Sequence, residues 1–220
     1  MFQIMRTATI LFSLLTFLTG IAYPIAVTIV AQLAFPWAAN GSLIESTSES
    51  SKASKQKNGR DWRGNSSESG LRVGSDVIGQ PFSSPKYFWG RPSATAPVPY
   101  NGLAGSGSNQ ATTNPALIDV VRERVSKLHA QDIDNHALIP VDLVTASASG
   151  LDPHISEAAA IYQIARVART RQMEPSTVTK LVLTQLERPT WGILGQKRIN
   201  VLRLNLALDA NHRGTNDARK

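Results

Sequence analysis

Thirteen residues, Val144–Ser156 (VTASASGLDPHIS), hold side chains able to do acyl-transfer chemistry: Ser147, Ser149, Asp152 and His154. A hydrolase triad needs a serine on a sharp turn, a histidine within hydrogen-bond reach and a carboxylate to orient it. Ala146-Ser147-Ala148-Ser149-Gly150 approximates the G-x-S-x-G elbow, with alanine in place of the first glycine. Ser149, Asp152 and His154 also lie within six residues, and so short a peptide seldom orients all three. A plainer reading accounts for each residue. Gly150 permits a tight turn, Asp152 before Pro153 caps a turn or an early helix start, and Ser156 caps a helix starting at Glu157. His154 then lies on a strand-to-helix connection. No catalytic residue is assigned. Ser147, Ser149, Gly150, Asp152, His154 and Ser156 are read as a structural or docking motif, with a membrane-anchored serine hydrolase or another anchored binding module as the alternatives.

A second candidate is Gly105–Asn109 (GSGSN), whose backbone N–H groups could cradle an anion. It lacks the lysine and hydroxyl of a P-loop, so a plain turn is the preferred reading of the residues alone. His129, His136 and His212 show no metal-ligand spacing, and no metal site is assigned. The absence of cysteine excludes disulfides, thiolate metal sites and cysteine nucleophiles.

The elements that must position these residues follow from periodicity. Asn114-Pro115 opens a helix carrying Leu117, Val121, Val125 and Leu128 on one face, with Arg122, Arg124 and Lys127 mostly solvated. Ile139, Val141, Leu143, Thr145 and Ser147 alternate as in a half-buried strand. Ala160, Ile161, Ile164, Ala165 and Ala168 form the stripe of a second helix. A third is capped by Ser176 and buries Val178, Leu181, Val182 and Leu186. Residues 199–209 fit a buried strand or a helix capped by Asn200, the helix being preferred. Before these, residues 74–115 are punctuated by Gly, Pro and Ser, which argues for turns and extended chain, with Tyr87, Phe88 and Trp89 packing a loop on the core.

The front of the chain differs. Thr7–Ile44 contains no charged residue, and Thr7–Phe35 is long and apolar enough to cross a bilayer. A signal peptide ending at Ala22 is the alternative, but the apolar run continues past it. Arg6 lies before the run and the next basic residue is Lys52, which favours a cytoplasmic N-terminus. The resulting expectation is α+β: one N-terminal transmembrane helix followed by a small mixed α/β extracytoplasmic domain. Residues 1–6 form a short cytoplasmic end, 7–35 the span, and 36–70 a linker whose Ser-rich part from 46 is flexible. Residues 71–210 form the soluble domain and 211–220 a frayed polar tail. The net charge of +7 is scattered, without a basic stripe interleaved with aromatics, so nucleic acid is not an expected partner. Membrane lipid is.

Ordered blocks along the chain resemble the C chain of the potassium-transporting P-type ATPase, the Kdp complex. They are LTGIAYP, GSLI, GSDVIGQPF, YFWGRPSA, YNGLAGSGSN, TNP, VTASASGLDPHIS and NVLRLNLALD. The resemblance implies a single-span, non-catalytic subunit of the bacterial inner membrane. Its implied partners are a channel-like potassium-binding subunit, a P-type ATP-hydrolysing subunit and a very small one-span subunit. It also implies a role in assembling and stabilising the complex, and as a catalytic chaperone raising the ATP affinity of the hydrolysing chain. The family's SGGSN-like block corresponds to GSGSN here, which makes Gly105, Ser106, Gly107, Ser108 and Asn109 the candidate nucleotide or partner contact. No cofactor of the chain's own is expected, ATP acting through the complex. Docking on the outer face of the potassium-conducting chain follows from the expected topology.

Overall fold

A computed structural model describes residues 2–46 and 71–217. The chain divides into two units, Met1–Val73 and Gly74–Lys220, each described by itself. Most of the expected Ser-rich linker, residues 47–70, lies outside the described residues.

The first unit begins with helix α1 (Phe2–Phe17), a π turn (Leu18–Ala22) and helix α2 (Tyr23–Ala34). Together they make one 33-residue apolar helix of mean hydropathy 2.0 with no part of it buried. At 1.5 Å per residue it is about 50 Å long, enough to cross the roughly 30 Å hydrocarbon core of a bilayer. The hydroxyls of Thr7, Thr9, Thr19 and Thr28 each donate to the carbonyl four residues back, so these polar side chains are satisfied within the helix. The π turn has a local cause. Pro24 has no N–H, and in a regular helix its ring would clash with the Gly20 carbonyl. The wider turn, in which Tyr23 N–H reaches Leu18 O, lets the helix pass this point without breaking. After Ala34 comes a single turn, α3 (Pro36–Ala39). Gly41 and Ser42, with φ of +86° and +50°, then redirect the chain into β1 (Leu43–Ser46), which pairs with β2 (Leu71–Ser75).

The second unit holds α4 (Pro115–Gln131), a 3-10 turn (Val141–Leu143), β3 (His154–Ser156), α5 (Glu157–Arg171) and α6 (Pro175–Thr184). It closes with β4 (Leu186–Glu187), β5 (Arg198–Asn200) and α7 (Val201–Asp217). The three strands form an antiparallel sheet in the order β3-β5-β4, with Ile155 opposite Ile199 and Leu186 opposite Ile199. Ile155 and Ile199 pack with Val167 of α5, Val178 and Val182 of α6, Leu204 and Leu208 of α7, and Phe88. The α+β class and the apolar N-terminal helix are as the sequence led us to expect.

Asn114 caps α4 by accepting from Ala116 N–H, with Pro115 in the first turn, as the sequence indicates. Arg124, expected to be solvated, is instead half-buried and donates to Val144 O at 2.8 Å. The expected strand over Ile139–Ser147 does not form. Pro140 precedes a 3-10 turn, and Val144 and Thr145 donate back to Val141 O, so the alternation is not that of a sheet. In α5, Ala160, Ile164 and Ala168 are buried, but Ile161 and Ala165 face out. The inner face continues through Ala159, Gln163, Val167 and Arg171, where polar side chains occupy core positions. Ser176 does not cap α6. Pro175 takes the first-turn position and Glu174 the cap, because a proline there needs no N–H partner. Leu186 belongs to β4. Both readings of 199–209 are realised: strand to Asn200, then helix, with Asn200 Oδ1 accepting Arg203 N–H at 3.2 Å. The backbone of α7 runs through Asp217, where a frayed tail was expected from Asn211.

Candidate functional site

From Asp76 to Asn114 the chain has neither helix nor strand, yet it passes through the interior at Gly79, Phe88, Trp89 and Thr95. Extended buried backbone must find partners for its N–H and C=O groups outside a ladder. Here helical side chains supply them. Asn205 on α7 accepts Phe88 N–H at 2.9 Å and donates to Phe88 O at 3.0 Å. Gln163 on α5 does the same for Trp89, at 2.8 and 3.1 Å. Two buried amides thus pair with consecutive residues as a neighbouring strand would. Arg166 donates to Pro85 O, to Tyr87 O at 3.1 Å and to Gln163 Oε1 at 2.7 Å, with its guanidinium 4.4 Å from the Trp89 ring centroid. Burial lowers that guanidinium to about 10, still protonated at neutral pH. Arg171 donates to Lys86 O and to Asp209, which also accepts from the Tyr87 hydroxyl. At the start of the segment Arg203 clamps the Asp76 carboxylate, and Asn200 donates to Asp76 O at 2.7 Å.

The segment so held positions the serine-rich motif. Arg91 donates to Asp152 at 3.2 Å and to Ala146 O at 3.3 Å. Ser93 Oγ donates to Gly150 O at 2.7 Å and accepts from Tyr100 N–H at 2.9 Å, and Gly79 N–H donates to Leu151 O at 2.8 Å. The Tyr100 hydroxyl donates to Arg91 O, and burial pushes its phenol up to about 12, with the Asp152 charge adding to the rise. Tyr100 is therefore a permanent donor at any physiological pH.

Asp152 and His154 come together: Asp152 Oδ1 accepts His154 N–H at 3.0 Å and lies 3.4 Å from His154 Nδ1. The other ring nitrogen is 3.8 Å from Glu187. Ser149 takes a different role. Its hydroxyl accepts from Leu151 N–H at 3.2 Å, capping the turn made by Gly150 at φ +69°. Ser147 is buried. Ser156 accepts Ala159 N–H at 3.0 Å as the cap of α5, and Asp142 holds both its N–H and its hydroxyl. The motif caps turns and joins elements.

Burial alone would raise the Asp152 carboxyl, but hydrogen bonds from the His154 ring and N–H and the Arg91 charge outweigh it and hold it below the usual range. A depressed carboxylate contributes stability that is present above its unfolded value, about 3.9, and lost as pH falls through the folded one. Acid unfolding of Asp152→Asn is therefore expected to be less steep below about pH 4 than that of the parent chain. Denaturant midpoints between pH 2 and 7 measure this, and parallel profiles would refute it.

Gly105–Asn109 lies against the same motif. A Cβ on Gly107 would stand 2.8 Å from Ala148 O, and one on Gly150 would stand 2.7 Å from Ser106 O. A Cβ on Gly105 would meet Leu151 at 3.4 Å. Gly107 and Gly150 thus have a packing reason for being glycine: the two backbones approach too closely for a side chain. Gly107→Ala is expected to destabilise the domain by about 1–3 kcal/mol by forcing these backbones apart. Urea midpoints of the two chains would show it, and an unchanged midpoint would contradict the packing account.

The sequence reading missed Gln163, Arg166, Asn205 and Arg203. Their signal was present: Gln163 and Asn205 sit at positions continuing an apolar helical stripe.

A family model described as KdpC, the c chain of the K+-transporting ATPase, matches residues 5–65 and 53–210. The chain belongs to the KdpC family. Its similarity extends to individual members over nearly their full length. The potassium-transporting ATPase KdpC subunit of Variovorax paradoxus is 52% identical over 209 residues, 95% of this chain and 97% of that one. Those of Dechloromonas aromatica and Polaromonas naphthalenivorans are 51% and 53% identical, over 94% of this chain and 97% and 95% of theirs. In this KdpC chain the blocks around Asp76, Phe88, Gly107 and Asp152 that carry the resemblance are the ones joined by the network above.

Proposed function

We propose that this chain is the non-catalytic, membrane-anchored subunit that assembles and stabilises a potassium-transporting ATPase complex, with its folded domain outside the cytoplasm. It sits in the bacterial inner membrane with its N-terminus inside. It joins a channel-like potassium-binding chain, a P-type ATP-hydrolysing chain and a small one-span chain, and docks on the outer face of the potassium-conducting one. The observation that carries the reading is the exposed apolar helix Phe2–Ala34, with Arg6 its only charged residue, in a chain of the KdpC family. Arg6 at the front and no other basic residue before Lys52 favour that orientation.

Cytoplasmic ATP does not reach a domain so placed. The rise in ATP affinity of the hydrolysing chain is then an effect of assembly across the membrane, with no nucleotide on Gly105–Asn109. The close fit of Gly107 on Ala148 supports this, since it gives that glycine a purpose without phosphate. A hydrolytic reading lacks comparable support, because the Ser149 hydroxyl is engaged with Leu151 N–H.

Cells dependent on high-affinity uptake, grown at micromolar potassium, test the role: growth should require this chain, and growth without it would refute the proposal. Protease added to sealed spheroplasts tests the topology. The domain should be cut, and an intact domain would place it in the cytoplasm.

A further inference from the structure

Between α4 and the extended stretch from Pro81 to Tyr100 lies a cavity of about 320 Å³. Small-ligand sites run from about 300 to 1,000 Å³, with apolar walls and a few placed polar groups. Here the apolar wall comes from Phe82, Trp89, Leu128 and Leu143, the last three of them buried. The charged wall comes from Arg91, Arg124, Lys127 and Glu123. These charges do not balance. Arg91 is met by Asp152 at 3.2 Å. Among the described residues, neither Arg124 nor Lys127 has an ion-pair partner. Arg124 donates instead to a neutral group, Val144 O, at 2.8 Å. Burial disfavours its charge by more than the neighbouring Glu123 supports it, and so lowers the guanidinium below its ordinary range. Arg124 and Lys127 against Glu123 leave one positive charge over. A half-buried cation without a counter-ion is costly unless something supplies the anion. Arg91, which lines the same cavity, adds a second demand: its Nε is buried and has no acceptor.

We infer that this cavity binds a small organic monocarboxylate with an apolar or aromatic body. The carboxylate is held by Arg124 and Lys127, and the body packs on Trp89, Leu128 and Leu143. A guanidinium fork matches the two oxygens of a carboxylate. One negative charge also matches the single excess. A phosphate dianion would bring a second charge with no cation to meet it, beside walls that are partly apolar. A neutral ligand would leave Arg124 without its counter-ion. The site is separate from Gly105–Asn109, none of which lines it.

Calorimetric titration of the full chain in detergent tests this, with heats into protein-free micelles subtracted. Hydrocinnamate is the probe, hydrocinnamyl alcohol its neutral counterpart and phenyl phosphate the dianion. Hydrocinnamate should bind saturably, and the alcohol about 10-fold more weakly or worse, as loss of a charge-assisted hydrogen bond implies. Arg124→Gln should weaken hydrocinnamate about 10-fold, while the glutamine amide can still donate to Val144 O. Lys127 is exposed, so Lys127→Glu leaves folding alone and reverses the excess charge. It should weaken hydrocinnamate by about 10-fold or more with the melting temperature unchanged. The inference is overturned by any of four results: no saturable binding of hydrocinnamate, equal affinity for the alcohol, tighter binding of phenyl phosphate, or parental affinity in the Lys127→Glu chain.

Discussion

Gln163→Ala is expected to lower the stability of the folded domain by about 3–5 kcal/mol, since each buried polar group left unpaired costs about 1–3 kcal/mol. Three groups lose their partner at once: Trp89 N–H, Trp89 O and one N–H of Arg166. The guanidinium is already buried enough to be shifted, so it is poorly placed to recruit water in place of the amide. Gln163→Met separates the hydrogen bonds from the volume. Methionine fills nearly the same space and provides none of the pairing, so most of the loss should persist. Urea unfolding of the detergent-solubilised chain, followed by fluorescence, measures both variants. Recovery of stability in Gln163→Met would mean that packing, not hydrogen bonding, is what Gln163 contributes.

Phe88→Ala should be as severe, at about 3–5 kcal/mol for a buried phenylalanine truncated in a packed core. Phe88 is fully buried and joins the cluster that unites the sheet with α5, α6 and α7. Its backbone is also fixed by Asn205, so a void at the ring should loosen the amide pairing too. The two variants share one network and should not be additive: the double variant is expected to lose less than the sum. Strict additivity in the same unfolding measurement would show that the Phe88 and Trp89 pairings are independent.

The parts of this fold that were legible in the sequence are those with a local cause. The unbroken apolar run identified the first helix, Asn114-Pro115 the start of α4, and Ser156 the cap of α5. The capping role of Asp152 was readable because aspartate before proline bonds its own neighbouring backbone. What escaped was non-local. Ile139–Ser147 alternates like a strand, but only the partner strand decides whether a ladder forms, and β5 pairs with His154–Ser156 instead. Gln163 and Asn205 continue apolar helical stripes, which marks them as buried, but what they pair with is visible only once the extended backbone is placed against them. Ser176 was preferred as a cap on type alone, although Pro175 before it already marked the first turn. Likewise, the spacing of Ser149, Asp152 and His154 suggested chemistry that the turn at Gly150 assigns to backbone support.

The pairing of Asp76 and Phe88 with α7 also bears on the order in which the domain can form. Asn200, Arg203 and Asn205 lie more than a hundred residues further along the chain than the groups they satisfy. During synthesis, which adds about 5–20 residues each second, the stretch from Asp76 to Trp89 emerges many seconds before α7 exists. Until then its backbone has only water or a chaperone for company. Closing loops of that length is slow compared with forming a helix, so the final collapse waits on the last segment made. A ribosome stalled before Asn200 would therefore hold a chain whose helices can form but whose Phe88–Trp89 stretch is still open to proteases.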